Sequence, residues 1–185
     1  MRLLLLLLSL QLPASLQAAP HYESSYTPLS EASCRTIDVD ETSISTRQQC
    51  PGFGKYGVIV TETDLRQSIT LTRDGREYPL DFWRTVSPAW SILGNLVEWR
   101  HTRSNHGNPV AMIVRLNVSE NPVDPDDMTS YLVVSRISDT GICVVGKIPP
   151  VRGGQQNRLA REMADNAAAL PCTPGSLSSG MRITP

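Results

Sequence analysis

The side chains able to do chemistry are few and scattered along the chain. Glu98, Arg100, Arg115 and Arg136 fall in three neighbouring stretches that alternate apolar and polar residues, as in Val97-Glu-Trp-Arg100. If the four share one side of a sheet, Glu98 pairs with Arg100, Arg115 or Arg136, and each cross-strand pair stabilises by under about 1 kcal/mol. The sharper reading of the same residues is a polar groove for an anionic ligand. His101 and His106 lie in the polar run Arg100-His-Thr-Arg-Ser-Asn-His-Gly107. Two imidazoles in one loop could share a metal, but no carboxylate or third histidine stands close in sequence, so a solvated turn is expected. There is no Gly-x-Ser-x-Gly elbow, and nothing in the spacing pairs His101 with Asp64, Asp81 or Asp139.

Asn121, Asp124, Asp126 and Asp127 crowd hard oxygen ligands into one segment. A calcium loop of the EF-hand kind needs a glycine at its sixth position and a bidentate glutamate at its twelfth, and neither is present. Solvating charge on a long loop is the expectation. The run Gly52-Phe-Gly-Lys-Tyr-Gly57 matches G-x-G-x-x-G by letter. A dinucleotide site needs a strand before that motif and a helix after it, so that a helix N-terminus receives the pyrophosphate. Here Cys50-Pro51 precedes it and a valine-rich stretch follows, which reads as a glycine turn. Asn117-Val-Ser119 is a glycosylation sequon set against a strand end. Trp83, Trp90 and Trp99 read as core or half-buried anchors, with Phe82-Trp83 and Pro88-Ala89-Trp90 the places where an aromatic could lie exposed. No residue is assigned to catalysis, cofactor binding or metal binding.

The elements that must position these residues begin behind an export signal. Met1-Arg2, the leucine-rich run Leu3–Leu12, Pro13 and the small pair Ala18-Ala19 predict a signal peptide over residues 1–18, cut after Ala18. The apolar run is too short to span a bilayer, which takes roughly 20 residues. Losing Arg2 leaves 17 − 1 = 16 basic against 18 acidic side chains, a net charge of −2. With no basic patch or stripe, binding to nucleic acid or to an anionic membrane is not expected. The remaining length suits one domain over residues 34–172. A flexible leader (19–33) and a flexible tail (173–185) are expected on either side.

Four cysteines in an exported chain predict two disulfides. The pattern predicts an apolar strand at Ile142–Ile148 and a helix from Gln155 to Leu170. If the helix folds back over the sheet, its end returns Cys172 to the beginning of that strand, beside Cys143. Cys34 and Cys50 then pair with each other across a polar, stapled loop. Further strands are expected at Tyr56–Thr61, Gln67–Thr72, Arg76–Phe82, Asn95–Arg100, Val110–Val118 and Tyr131–Ile137. In the stretch Val110–Val118 the face with Ala111, Ile113, Arg115 and Asn117 is expected to be partly covered or wet. The helix lines up Leu159, Met163, Ala167 and Leu170, with outer pairs Arg158–Glu162 and Arg161–Asp165. The fold expected is α+β: a mostly antiparallel sheet of about six or seven strands, one C-terminal helix packed on it, and two disulfides.

Several of these stretches in combination resemble a family of uncharacterised exported proteins of Gram-negative, mainly alphaproteobacterial, origin. They are Cys50-Pro-Gly-Phe-Gly-Lys-Tyr-Gly57, Glu62-Thr-Asp-Leu-Arg-Gln-Ser68, Val97–Arg100 with Asn108–Ile113, Leu132–Arg136, and the Cys143 strand, helix and Cys172. The resemblance implies a periplasmic address and supplies no activity, cofactor or catalytic residue. The expected function is a non-enzymatic module that binds an envelope protein or a cell-wall component. The alternative is a small periplasmic hydrolase using His101 or the Asp124–Asp127 loop.

Overall fold

The computed structural model describes residues 21–176 and 180–182. The expected signal peptide and its cut after Ala18 lie outside them, as do 177–179 and 183–185 of the tail. The strands are β1 (Tyr22–Pro28), β2 (Arg35–Asp40), β3 (Ser45–Phe53), β4 (Tyr56–Thr63), β5 (Arg66–Arg73) and β6 (Arg76–Pro79). They continue as β7 (Ser91–Thr102), β8 (Ala111–Val118), β9 (Thr129–Ser138), β10 (Gly141–Ile148) and a two-residue β11 (Met181–Arg182). A single turn, α1 (Phe82–Thr85), precedes β7, and α2 (Gln156–Asp165) follows β10.

All strands join one sheet, in the order β10-β9-β8-β7-β5-β4-β3-β2, with β1 also beside β7, β6 beside β5 and β11 beside β6. Among the described residues the pairings are antiparallel except for a single parallel contact, Arg66 with Ser91. Among the described residues ten strands of four or more residues form, not six or seven. All seven expected strands are there, although Phe82 belongs to α1 rather than to β6. The additional strands are mostly polar, and where β2 alternates, through Ile37 and Val39, both side chains stay exposed. Tyr22–Pro28, expected as loose leader, pairs along β7 from Thr102 to Leu96. The polar segment between Cys34 and Cys50 is the β2–β3 hairpin rather than an open loop. The described end of the tail adds β11 to β6.

Alternation decides the two faces of the sheet. Val58, Ile69, Leu71, Val97, Trp99, Met112, Val114, Leu116, Val133, Ile142 and Val144 point inward, where the two halves of the curled sheet meet in one core. Ala111, Ile113, Leu132 and Val134 point outward and are capped by Ala160, Ala164 and Ala167 from the helical segment. The second face of β8 is thus covered at one end, as expected, and the outward Arg115 lies beyond the cap. Arg73 ties the halves together from inside. Its side chain is 8 % exposed, and the guanidinium donates to the hydroxyls of Tyr56 and Tyr78 and to the carbonyls of Ser138 and Asp139.

Cys143 pairs with Cys172 and Cys34 with Cys50, the pairing that the fold-back of the helix predicts. All four cysteines are therefore oxidised, which suits an oxidising compartment outside the cytoplasm. Among the described residues no helix is long and apolar enough to cross a membrane.

Candidate groove between the helix and the sheet

A break in the β7–β8 ladder makes room for a site. Leu93 pairs with Leu116 and Val97 with Val114, so Gly94, Asn95 and Leu96 together oppose Arg115. Such a bulge bends the strand and re-aims its side chains. Glycine is required here, since a Cβ on Gly94 would stand 2.8 Å from the Arg115 Cβ. The Arg115 side chain thus lies over the bulge on the outer face. The hollow beside it, about 320 Å³, is floored by Gly94, Leu96, Ile113 and Leu132 and rimmed by Tyr26, Glu98, Asn157 and Arg161.

Arg115 donates to Ser130 Oγ at 2.7 Å and to Gln156 Oε1 at 3.2 Å, both neutral acceptors. Among the described residues it has no carboxylate partner. Gln156 is itself held by the carbonyls of Ser130 and Ile148, at 2.7 and 3.0 Å. The first turn of α2 therefore steadies the guanidinium, while leaving donors of its five-donor fork to point elsewhere.

Glu98, on the same outer face, is neutralised from the helix. Arg161 Nε donates to its carboxylate at 2.6 Å, and Arg161 also reaches the Tyr26 hydroxyl at 3.0 Å. Hydrogen bonding to Glu98 holds the Arg161 guanidinium above its ordinary value, against the opposing effect of desolvation. Two residues along β7, Arg100 makes a two-pronged contact with Asp165, both bonds at 2.8 Å. The Ser24 hydroxyl links the pairs, accepting from Arg100 at 2.6 Å and donating to Glu98. Arg161 and Asp165, expected to pair with each other along the helix, instead each cross to the sheet. Arg158 and Glu162 do pair on the outer face of α2.

Of the four groove candidates, Glu98 and Arg115 line the hollow, and Arg100 lies buried behind it. Arg136 is elsewhere, donating to the Leu170 carbonyl at 2.9 Å and to Cys172 Sγ at 3.3 Å beside the second disulfide. Glu98 pairs with none of the three arginines named for it. Its partner Arg161 and the supporting Ser24, Tyr26, Gln156 and Asp165 were missed by strand patterning. Only the place of Arg161 next to Ala160, at the edge of the apolar face of a helix bound for this sheet, could have signalled it.

His101 is not in a solvated turn. It is the last residue but one of β7, with 1 % exposure, Nε2 lying 3.0 Å from Ser25 Oγ and Nδ1 3.3 Å from the Thr102 carbonyl. Phe53 stacks on it, and the ring of the exposed His106 lies 4.5 Å away, centre to centre. The glycine motif forms the β3–β4 hairpin, with a strand rather than a helix after it. A Cβ on Gly54 (φ +60°) would fall 2.0 Å from the Gly107 carbonyl oxygen, so the motif serves close backbone packing. Asn121, Asp124, Asp126 and Asp127 are bound up in turn hydrogen bonds among themselves, as in Asn121 Nδ2 to Asp127 at 3.2 Å. No three His, Cys, Asp or Glu side chains converge as metal ligands among the described residues. Asn117 lies within β8, opposite Ser130 and Ile92. Trp99 is core, donating to Thr27 Oγ1 at 2.9 Å, whereas Trp90 is half exposed.

A larger hollow, about 490 Å³, opens where β7 turns from β5 to β1 and is lined by Glu31, Gln48, Glu62, Gln67 and Asn95. Gln67 occupies much of its chemistry, donating to Glu62 at 2.6 Å and accepting from the Leu93 amide at 2.8 Å. The smaller groove holds the better-presented group. Comparison with models of protein families, with curated proteins and with solved structures finds no match to this chain.

Proposed function

We propose that the chain is an exported, non-enzymatic binding module of the cell envelope, holding its ligand in the groove between α2 and the outer face of β7–β8. The observation that carries this reading is Arg115, a cation over an apolar floor that is steadied by neutral acceptors only. The other groove charges, Glu98 and Arg161, already satisfy each other. A ligand with an anionic group beside an apolar body would place the anion on Arg115 and the body against Leu96, Ile113 and Leu132. Charge-assisted bonds to a guanidinium are about twice as strong as neutral ones, so the anion sets the orientation. Candidate ligands are an envelope protein or a cell-wall component of that chemistry.

The hydrolase alternative has one contact in its favour, Ser25 with His101. The imidazole, however, is sealed beneath Phe53 and β1, where a substrate and water would have to reach it. The aspartates of the other version are at the opposite end of β7, next to Ser91 rather than Thr102, so the two do not converge.

Anilinonaphthalene sulfonate, which joins a sulfonate to an apolar body, tests the groove. Wild type is expected to bind one dye with enhanced fluorescence, and Arg115→Gln to bind it about tenfold more weakly at unchanged thermal stability. Equal affinity in the variant would remove Arg115, and with it the groove, from the binding reading.

A further inference from the structure

One end of the sheet carries a second surface, separate from the groove. The ladder runs across it through Thr63, Arg66, Ser91, Val118 and Thr129, each paired with the next. The β4–β5 turn, the loop before β7 and the β8–β9 loop therefore lie side by side, about 5 Å apart per strand. Two backbone bonds lock them together: Ser91 N to the Leu65 carbonyl at 3.0 Å and Ser119 N to the Trp90 carbonyl at 2.9 Å.

This end exposes apolar side chains that a lone chain has reason to bury: Leu65 at 60 %, Trp90 at 47 %, Val123 at 91 % and Met128 at 42 %. Beside them Trp83, Pro88, Thr63 and the stem of Arg66 line a hollow of about 360 Å³. Clustered exposed apolar groups with a charged border mark interaction sites. One stretch of the border is acidic throughout. Residues 119–128 contain Glu120, Asp124, Asp126 and Asp127 and no lysine or arginine. Of the nearby cations, Arg66 is engaged with Asp64 and the Pro88 carbonyl and Lys147 with the Val86 carbonyl, while the exposed Arg84 stands on the α1 side of Trp83, away from the 119–128 loop in sequence.

We infer that this end docks a basic protein segment, with lysines or arginines facing the 119–128 loop and an apolar side chain seated against Trp83, Pro88 and Trp90. The carboxylates choose the occupant. They repel an anionic lipid surface, attract a cationic segment over about a Debye length, and set its register on the apolar patch. The surface does not depend on Arg115 or on the α2 groove.

A fluorophore-labelled lysine-rich peptide with a central leucine pair is the probe, followed by anisotropy on the intact protein. Saturable binding that weakens with added salt is expected. Both Trp90→Ala and the triple change Asp124→Asn, Asp126→Asn, Asp127→Asn should weaken it about tenfold, and Arg115→Gln should leave it unchanged. Trp90 and the three aspartates are exposed and Arg115 is half-buried, and circular dichroism checks that the variants remain folded. An unchanged affinity in the triple variant overturns the inference, as does a failure to bind at low salt. Trp90-dependent self-association, or Trp90-dependent binding to vesicles of anionic lipid, would overturn it too by giving the face to another occupant.

Discussion

Asp81 stands at the start of α1 with a left-handed backbone (φ 46°), a position that aspartate and asparagine tolerate better than most residues. Burial raises its carboxyl above the usual aspartate range, against a smaller opposing pull from Arg84. A carboxyl raised in the folded state is harmless while both states are protonated. It costs stability as the pH climbs from the unfolded value, about 3.9, through the raised folded one. Asp81→Asn keeps the backbone preference and removes the ionisation. Urea midpoints measured across pH should show the variant more stable near neutrality, with the gap closing in acid. A gap independent of pH would mean that burial of the charge is not what Asp81 contributes.

At the scale of an element, α2 is held in an unusual way. It has ten residues and meets the sheet chiefly through alanines, whose burial removes little apolar area from water. Ionic contacts supply the rest, and they are unequal. The Arg100 side chain is 8 % exposed, so Asp165→Ala leaves a nearly buried guanidinium with only Ser24 for company. That should cost about 3 kcal/mol. The Arg158–Glu162 pair is more than half exposed on both sides, so Glu162→Ala should cost well under 1 kcal/mol. Chemical denaturation of the two variants checks the ranking. Similar losses would show that the crossed pairs do not anchor the helix.

For the whole molecule, the disulfides tie down what packing alone holds loosely. Cys143–Cys172 closes 29 residues that include all of α2, and Cys34–Cys50 closes the 16 that hold the β2–β3 hairpin. In the chain-entropy model each stabilises by roughly 3 kcal/mol or more. Replacing Cys143 and Cys172 by serine should lower the thermal midpoint and release hydrogen-exchange protection in α2. Replacing Cys34 and Cys50 should lower the midpoint while α2 stays protected. Loss of α2 protection in both variants would mean that the helix and the hairpin unfold as one unit.

The amino-acid sequence alone determined the seven apolar strands, the helix up to Asp165, though not its expected run to Leu170, and the pairing of the cysteines. Each of these rests on local periodicity or on the reach of a short chain segment. The inward and outward faces of Val110–Val118 were legible for the same reason. Strands β1, β2 and β3 were not, because Tyr22–Pro28 and the residues around the first disulfide are polar and acquire order only by pairing with β7 and β4. The site divides in the same way. Glu98 and Arg115 could be placed on one face by counting along strands, whereas the partner of Glu98 is Arg161, 63 residues away. Tertiary structure alone decided that pairing, the burial of His101 and the presentation of Arg115, since contacts so distant in sequence leave no periodic trace in the chain.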